Sequence, residues 1–210
     1  MIVIDIETSG IDKMKCGIWQ IGAVDFYAPK NQFIDECRID DEDIITDDAL
    51  KIAEKTEEEL RDRKKQSQKQ LLEKFFSWTG SCKIKNLACQ GPQFDYTFLE
   101  IKAAKYGLKM PFHYRAFDLH TIAQKVYYDI HGRFLIKDSY SDMGLSKILE
   151  LCGMKDERRK FKDGKIVREG KPHNALEDAK LASECFSRLL HGKNLFSEYT
   201  KFLIPDYLRK

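Results

Sequence analysis

The sequence predicts an α/β fold, a mixed β-sheet with helices packed on it. Three observations carry this expectation. Apolar, β-branched runs at Met1–Ile6, Ile18–Tyr27 and Gln32–Ile39 read as three early strands. Segments with helical start and stop signals then alternate with short strand-like runs. The 210 residues hold no repeat or low-complexity stretch and suit one domain, or one domain with an insertion. A chain of this size can bury roughly 70% of its unfolded surface, so it needs no disulfides to fold.

The elements follow in order. Met1–Ile6 is short and uniformly apolar, as a buried strand is. The next two strands are expected to be antiparallel, with Pro29-Lys30-Asn31 as the turn between them. Thr56-Glu57-Glu58-Glu59 is a capping-box sequence and predicts a long helix from there to about Trp78. Ile84–Cys89 is the next strand candidate, followed by a helix from about Phe94 to Tyr106 that Gly107 stops. Asp118 is expected to cap a helix reaching about Ile130, and another spans about Met143 to Cys152, ending at Gly153. Asp163-Gly164, between the flanks of Arg159–Arg168, signals a hairpin. Asn174–Leu190 reads as a strong helix, and a last helix is expected over Leu195–Phe202.

Net charge is only +2, so the chain is no simple polycation, but its charges are clustered. Residues 35–48 are acidic (Asp35, Glu36, Asp40, Asp41, Glu42, Asp43, Asp47, Asp48) and read as a solvated loop or edge. Residues 155–171 carry eight basic and four acidic side chains. Such a stretch suits either a solvated face or a polyanion contact. The six cysteines form no C-x-x-C pair, which argues against a zinc site, and several read as small core residues. Asp5 and Glu7 interrupt the first apolar run, so no signal peptide is expected. No run is long enough to span a bilayer, and a reduced cytoplasmic setting with no membrane partner is the default expectation.

Three acidic segments carry the chemistry. Side chains alternate along a strand, so Val3, Asp5 and Glu7 share one face and Ile2, Ile4 and Ile6 the other, which sets two carboxylates side by side at a strand's end. Asp95 follows Phe94 where a strand gives way to a helix; taken alone, it also fits a helix-start acid favoured by the dipole. In His173-Asn174-Ala175-Leu176-Glu177-Asp178, Asn174 and Glu177 fit a helix cap, so Asp178 lies in the first turn. Pro172 keeps His173 on the approach loop. A histidine inside the helix, five residues before Asp178, would face about 140° away; one just ahead of it can lean over the same cleft. Carboxylates gathered in one cleft repel each other and raise each other's pKa. Hard divalent cations relieve that repulsion, and oxygen donors suit Mg²⁺ or Mn²⁺. Two such ions about 3.5–4 Å apart can hold the attacking water and the leaving oxygen of a phosphodiester. A histidine near that water is a suitable base, with an unperturbed pKa of about 6.5.

In this order, Asp5-Ile6-Glu7-Thr8-Ser9-Gly10, Phe94-Asp95 and His173-x4-Asp178 resemble the three motifs of the DEDDh exonuclease superfamily, which includes proofreading exonucleases, ribonuclease T and oligoribonuclease. Ile18–Val24 is similar to the family's second strand, Ile45–Leu60 to its following helical segment, and Gly144–Met154 to the helix before the third motif. The resemblance implies a ribonuclease-H-like fold: a mixed sheet flanked by helices over a single domain, residues 1–210. A basic hairpin at about 155–171 and a helix at about 195–202 would be elaborations. It implies a metal-dependent 3′→5′ exonuclease with two Mg²⁺ or Mn²⁺ ions on Asp5, Glu7, Asp95 and Asp178 and with His173 as general base. It also implies that Thr8, Ser9, Gly10, Ile11 and Phe94 hold the terminal nucleotide, with Ile11 wedged against bases. Ile11 equally suits plain core.

The partner implied is the 3′ end of DNA or RNA, single-stranded by expectation. Relatives often read His-Asn-x-x-Phe-Asp at the second motif, where this chain has Gln90-Gly91-Pro92-Gln93-Phe94-Asp95. Gly91 offers no side-chain amide, which puts one grip on the terminal nucleotide in doubt. Two other readings compete with an active exonuclease: a nucleic-acid-binding relative that turns over poorly, and an unrelated metal-dependent phosphoesterase.

Overall fold

A computed structural model describes residues 1–162 and 165–210. The three early strands form an antiparallel meander: β1 (Ile2–Thr8), β2 (Ile18–Asp25) and β3 (Gln32–Glu36). Then come α1 (Asp47–Ala53), α2 (Glu57–Leu60), α3 (Gln68–Thr79), β4 (Leu87–Cys89) and α4 (Pro92–Lys105). β5 (Phe117–Asp118) leads into α5 (Leu119–His131), the small hairpin β6–β7 (Ile136–Lys137, Tyr140–Ser141) and α6 (Leu145–Leu151). A second hairpin, β8 (Lys160–Lys162) and β9 (Lys165–Arg168), precedes the long α7 (Ala175–His191). The Asp163-Gly164 turn expected between β8 and β9 lies outside the described residues; the strands beside it pair antiparallel.

The main sheet runs β3-β2-β1-β4-β5, with β4 parallel to β1 and β5 parallel to β4. This is the ribonuclease-H-like mixed sheet, and its alternation is what positions the chemistry. Ile2, Ile4 and Ile6 pack with Leu71, Phe75, Phe98 and Leu99 of α3 and α4 on one face. Met1 and Val3 pack with Leu119, Ile148, Cys185 and Phe186 of α5, α6 and α7 on the other. Asp5 and Glu7, in phase with Val3, therefore face the α7 side. Because β1, β4 and β5 run parallel, their carboxyl ends open on one edge, where open α/β sheets place their ligands. All six cysteines are free and buried, and no helix among the described residues is long and apolar enough to cross a membrane.

Three expectations need correction. The long helix expected from Thr56 to Trp78 is two helices. The Thr56–Glu59 capping box forms, but α2 stops at Leu60, and a second capping box, Ser67 with Gln70, starts α3. Between them the chain pairs with the end of the meander: Arg38 N–H donates to the Gln66 carbonyl at 3.0 Å and Ile39 N–H to the Leu60 carbonyl at 2.9 Å. Backbone pairing with a neighbouring segment wins there over continued helix. The helix expected at Leu195–Phe202 is only one 3-10 turn, Ser197–Tyr199. A fully buried Glu184–Arg188 ion pair intercepts its backbone groups. Glu184 accepts from Leu195 and Phe196 N–H, and Arg188 donates to the Tyr199 and Phe202 carbonyls. The acidic run is a solvated edge only in part: Asp41, Glu42, Asp47 and Asp48 are exposed, and the other four acids are paired. Asp43 is buried in an ion pair with Lys102 at 2.7 Å, Asp40 pairs with Lys105 and Tyr106, and Asp35 pairs with Lys74.

Candidate active site at the carboxyl edge of the sheet

Each acid owes its place to a local device. A register shift between Glu7 and Thr8 breaks the regular β1–β2 ladder just past Asp5 and Glu7, one pair before its end at Thr8–Ile18. Asp95 sits in the first turn of α4, whose start is fixed by Gly91 in the left-handed region (φ 77°) and by Pro92 at the first helical position. Gly91 N–H donates to Asp118 Oδ1 at 3.1 Å, which ties the second motif to the cap of α5. Its φ is one that glycine and asparagine tolerate, so the exchange that departs from the family pattern keeps the backbone. Asn174 caps α7 by accepting from Leu176 and Glu177 N–H, which leaves Asp178 in the first turn and His173 just outside.

What brings α7 down onto β1 is Gly22, directly opposite Asp5 in the register. A Cβ on Gly22 would lie 2.1 Å from the Ala175 carbonyl carbon and from the Leu176 nitrogen, so only a bare backbone admits the first turn of α7. Gln20, opposite Glu7, accepts the Ala175 N–H at 2.8 Å and fixes the approach. Gly22 inside the otherwise strand-like Ile18–Asp25 is the one sequence signal for this docking. Gly22→Ala is expected to push α7 outward, cost about 1–3 kcal/mol of stability and lower cleavage about 10²-fold through misplaced Asp178 and His173. Thermal melts and steady-state rates check it; wild-type turnover in a folded Gly22→Ala protein contradicts it.

The acids meet closely enough to perturb one another. Desolvation, then the charges of Asp178, Glu7 and Asp95, holds Asp5 well above the usual carboxylate range. Burial, helped by Asp178, pushes Glu7 up to about 7. Asp95 is likewise raised by burial to about 7, against backbone hydrogen bonds and one to Cys89 that pull it down. Asp178 Oδ2 receives Arg158 Nη1 at 3.1 Å and lies 3.2 Å from His173 Nδ1, whereas its Oδ1 is buried with no partner. A buried carboxylate oxygen without a donor is costly unless a cation takes it. Glu7, His173 and Asp178 bring donor atoms within 4.8 Å of one another, and the remaining acids offer only oxygen. This donor set fits a hard divalent cation.

His173 is held more firmly than a mobile loop histidine. Its Nε2 is 3.2 Å from the Arg159 carbonyl, which can only accept, so Nε2 carries a proton. Nδ1 is then the nitrogen that gives or takes one. The Asp178 hydrogen bond raises the His173 pKa above its ordinary value, with desolvation opposing. Ile11 is 82% exposed and is not core. Thr8 Oγ1 donates to the Gly10 carbonyl at 2.8 Å. Ser9 is fully buried, its hydroxyl donating to the Ile44 carbonyl and accepting from Gly17 N–H, so it shapes the loop and offers no side chain to a ligand. Gly10 is walled in, since a Cβ there would lie 2.7 Å from Cys16 Sγ. Phe94 packs on Phe98 with Lys13 over its ring.

Raised carboxyl pKa values mean the folded protein binds protons that the unfolded chain has lost. For Glu7 and Asp95 stability falls as pH rises from the unfolded values near 4 to the folded values of about 7, and is flat above. His173, also raised, adds loss in the same direction as pH climbs through its folded pKa. The cation-free protein is therefore expected to melt lower at pH 8 than at pH 5, and Mg²⁺ to raise the melting temperature markedly at pH 8 and little at pH 5. An equal Mg²⁺ effect at both values contradicts the cluster.

A family model described as "Exonuclease" matches residues 2–186. Among solved structures, the fold is similar to the nuclease domain of 3'hExo, a DEDDh family member, bound to rAMP (TM-score 0.64, 19% identity, covering 98% of this chain and 95% of that one). It is similar to E. coli exonuclease I in complex with a dT13 oligonucleotide (TM-score 0.64, 16% identity, 87% of this chain and 39% of that one). It is also similar to cell-death related nuclease 4 (TM-score 0.65, 14% identity, 92% of this chain and 64% of that one). The chain thus spans well under half of the exonuclease I chain and just under two thirds of the nuclease 4 chain. No curated protein matches in sequence. At these identities the structural likeness speaks for the fold, and the family match speaks for the lineage. The chain belongs to the exonuclease family.

Proposed function

We propose that this protein removes nucleotides one at a time from the 3′ end of a nucleic-acid strand, as a 3′→5′ exonuclease that depends on two divalent cations. The observation that carries the reading is the cluster itself. Four carboxylates share one sheet edge at a cost in stability, one with a buried oxygen that nothing in the protein satisfies. Asp5, Glu7, Asp95 and Asp178 would hold Mg²⁺ or Mn²⁺. Such cations, when bound, neutralise phosphate charge and lower the pKa of water.

The chain's own groups account for the rest. His173 keeps its Nε2 proton on the Arg159 carbonyl and faces Asp178 with Nδ1, which can take the proton of the attacking water when it is not donating to Asp178. The Thr8–Ile11 loop follows Glu7 directly and Phe94 precedes Asp95, so both would border the cleft. The exposed Ile11 supports a wedge against the terminal base, and the loop backbone, shaped by Ser9 and Gly10, supports a seat for the 3′-hydroxyl. The solved neighbours include one bound to rAMP and one bound to a dT13 oligonucleotide, so both sugar types fit this fold.

The test is to incubate the protein with matched single- and double-stranded DNA and RNA oligonucleotides. The expected result is mononucleotide release with Mg²⁺ or Mn²⁺, halted reversibly by chelator and fastest on single strands. A folded, cation-binding protein that releases nothing from any of them overturns the reading.

A further inference from the structure

The segment between Gly153 and His173 is rich in positive charge, yet much of that charge is turned inward. Arg159 pairs with Glu54 and Glu169, and Lys160 approaches Asp156 at 3.8 Å. Arg158 goes furthest. Its side chain is 13% exposed, and Nη1 reaches Asp178 Oδ2 at 3.1 Å. Among the described residues it is the only lysine or arginine ion-paired with any of the four cleft acids.

We propose that Arg158 is a built-in counter-cation for Asp178 that a divalent cation displaces, and that its guanidinium then pairs with a phosphate of the bound strand. The proposal rests on the exonuclease reading above. Three features support it. First, Arg158 is held along one edge, Nε and Nη2, by Asp156, and only its Nη1 reaches Asp178. Asp156 accepts from Arg158 N–H at 3.0 Å and Nε at 3.1 Å, and is itself fixed by Ser146 at 2.5 Å and Arg168 at 3.3 Å. A guanidinium fork held along one edge keeps its other edge for a second anion, and its geometry matches a phosphate. Second, a divalent cation on the unpartnered Asp178 Oδ1 would stand beside the guanidinium held at Oδ2 of the same carboxylate, like charge next to like. Third, the charges close. Four carboxylates balance two divalent cations, so none of the four needs Arg158 once both are bound, and Asp156, shared between Arg158 and Arg168, cancels only one of those two guanidinium charges.

The full chain, without nucleic acid, is titrated with Mn²⁺ by calorimetry at pH 8 as wild type, Arg158→Gln, Arg158→Lys and Lys160→Gln. Arg158→Gln is expected to bind Mn²⁺ about tenfold more tightly, because a competing positive charge is gone. Lys160→Gln removes the same charge from the same hairpin without touching Asp178 and is expected to stay within about twofold of wild type. On an oligonucleotide, Arg158→Gln is expected to lose about 10–100-fold in kcat/KM despite its tighter metal. Mn²⁺ affinity in Arg158→Gln equal to or below wild type overturns the proposal, as does wild-type kcat/KM in that variant. If Arg158→Gln does not fold, Arg158→Lys decides: it keeps the charge and loses the fork, so near-wild-type Mn²⁺ affinity with reduced kcat/KM supports the proposal, and wild-type kcat/KM overturns it. A wild-type protein that binds Mn²⁺ but releases no nucleotide sinks the exonuclease reading instead, while the Mn²⁺ titrations still decide whether Arg158 competes for Asp178.

Discussion

Replacing Asp5, Glu7, Asp95 or Asp178 singly with Ala is expected to reduce nucleotide release by about 10³-fold or more, the effect of losing several kcal/mol of transition-state charge stabilisation. The fold should survive. Burial raises the pKa of all three of Asp5, Glu7 and Asp95, and neighbouring carboxylates add to the rise at Asp5 and Glu7, so removing either of those two relieves repulsion in the cation-free protein. Circular dichroism should therefore give each variant a native spectrum, and cation-free melting at pH 8 should stay at or above wild type for Asp5→Ala and Glu7→Ala. Asp95 also accepts backbone hydrogen bonds, so Asp95→Asn is the fairer comparison there. Near-normal turnover at saturating Mg²⁺ in any one variant removes that residue from the ligand set.

His173→Ala is expected to lower turnover by about 10²–10⁴-fold, the range for loss of a general base. Cation affinity should change only a few-fold, since the carboxylates remain. The pH dependence gives the sharper readout. Without cation, Asp178 holds the His173 pKa above its ordinary value, and a cation on Asp178 withdraws that support. The acidic limb of the turnover profile is therefore expected to move to lower pH as Mg²⁺ is raised, and to vanish in His173→Ala. An acidic limb unchanged by the substitution assigns the base elsewhere.

Much of this was legible in the sequence because it follows from local periodicity and caps. The phase of Val3, Asp5 and Glu7 in a strand buried on both sides put the two carboxylates on one face, and the structure has that face toward α7. Asn174 announced the start of α7, and Asp118 that of α5. What was not legible depends on contacts distant in sequence. Gly22 matters because Ala175, more than 150 residues later, crosses it, as the Gln20 hydrogen bond also records. Arg158 looked like one more charge on a basic hairpin until Asp156 aimed it at Asp178. The helix at Leu195–Phe202 failed because Glu184 and Arg188, on the preceding helix, captured its backbone groups, which no reading of that segment alone contains. The broken helix after Thr56 is the one miss that local signals could have prevented, since Ser67 and Gln70 spell a second capping box.

On the proposed function, cations held by these four acids let the chain consume a strand from its 3′ end. A 5′-labelled single strand with a free 3′-hydroxyl, compared with the same strand blocked by a 3′-phosphorothioate linkage, tests it most directly. With Mg²⁺, the free strand is expected to shorten one nucleotide at a time into a continuous ladder while the blocked strand stays intact. Internal cuts in the blocked strand, or immediate release of the 5′ label as a mononucleotide, contradict the account.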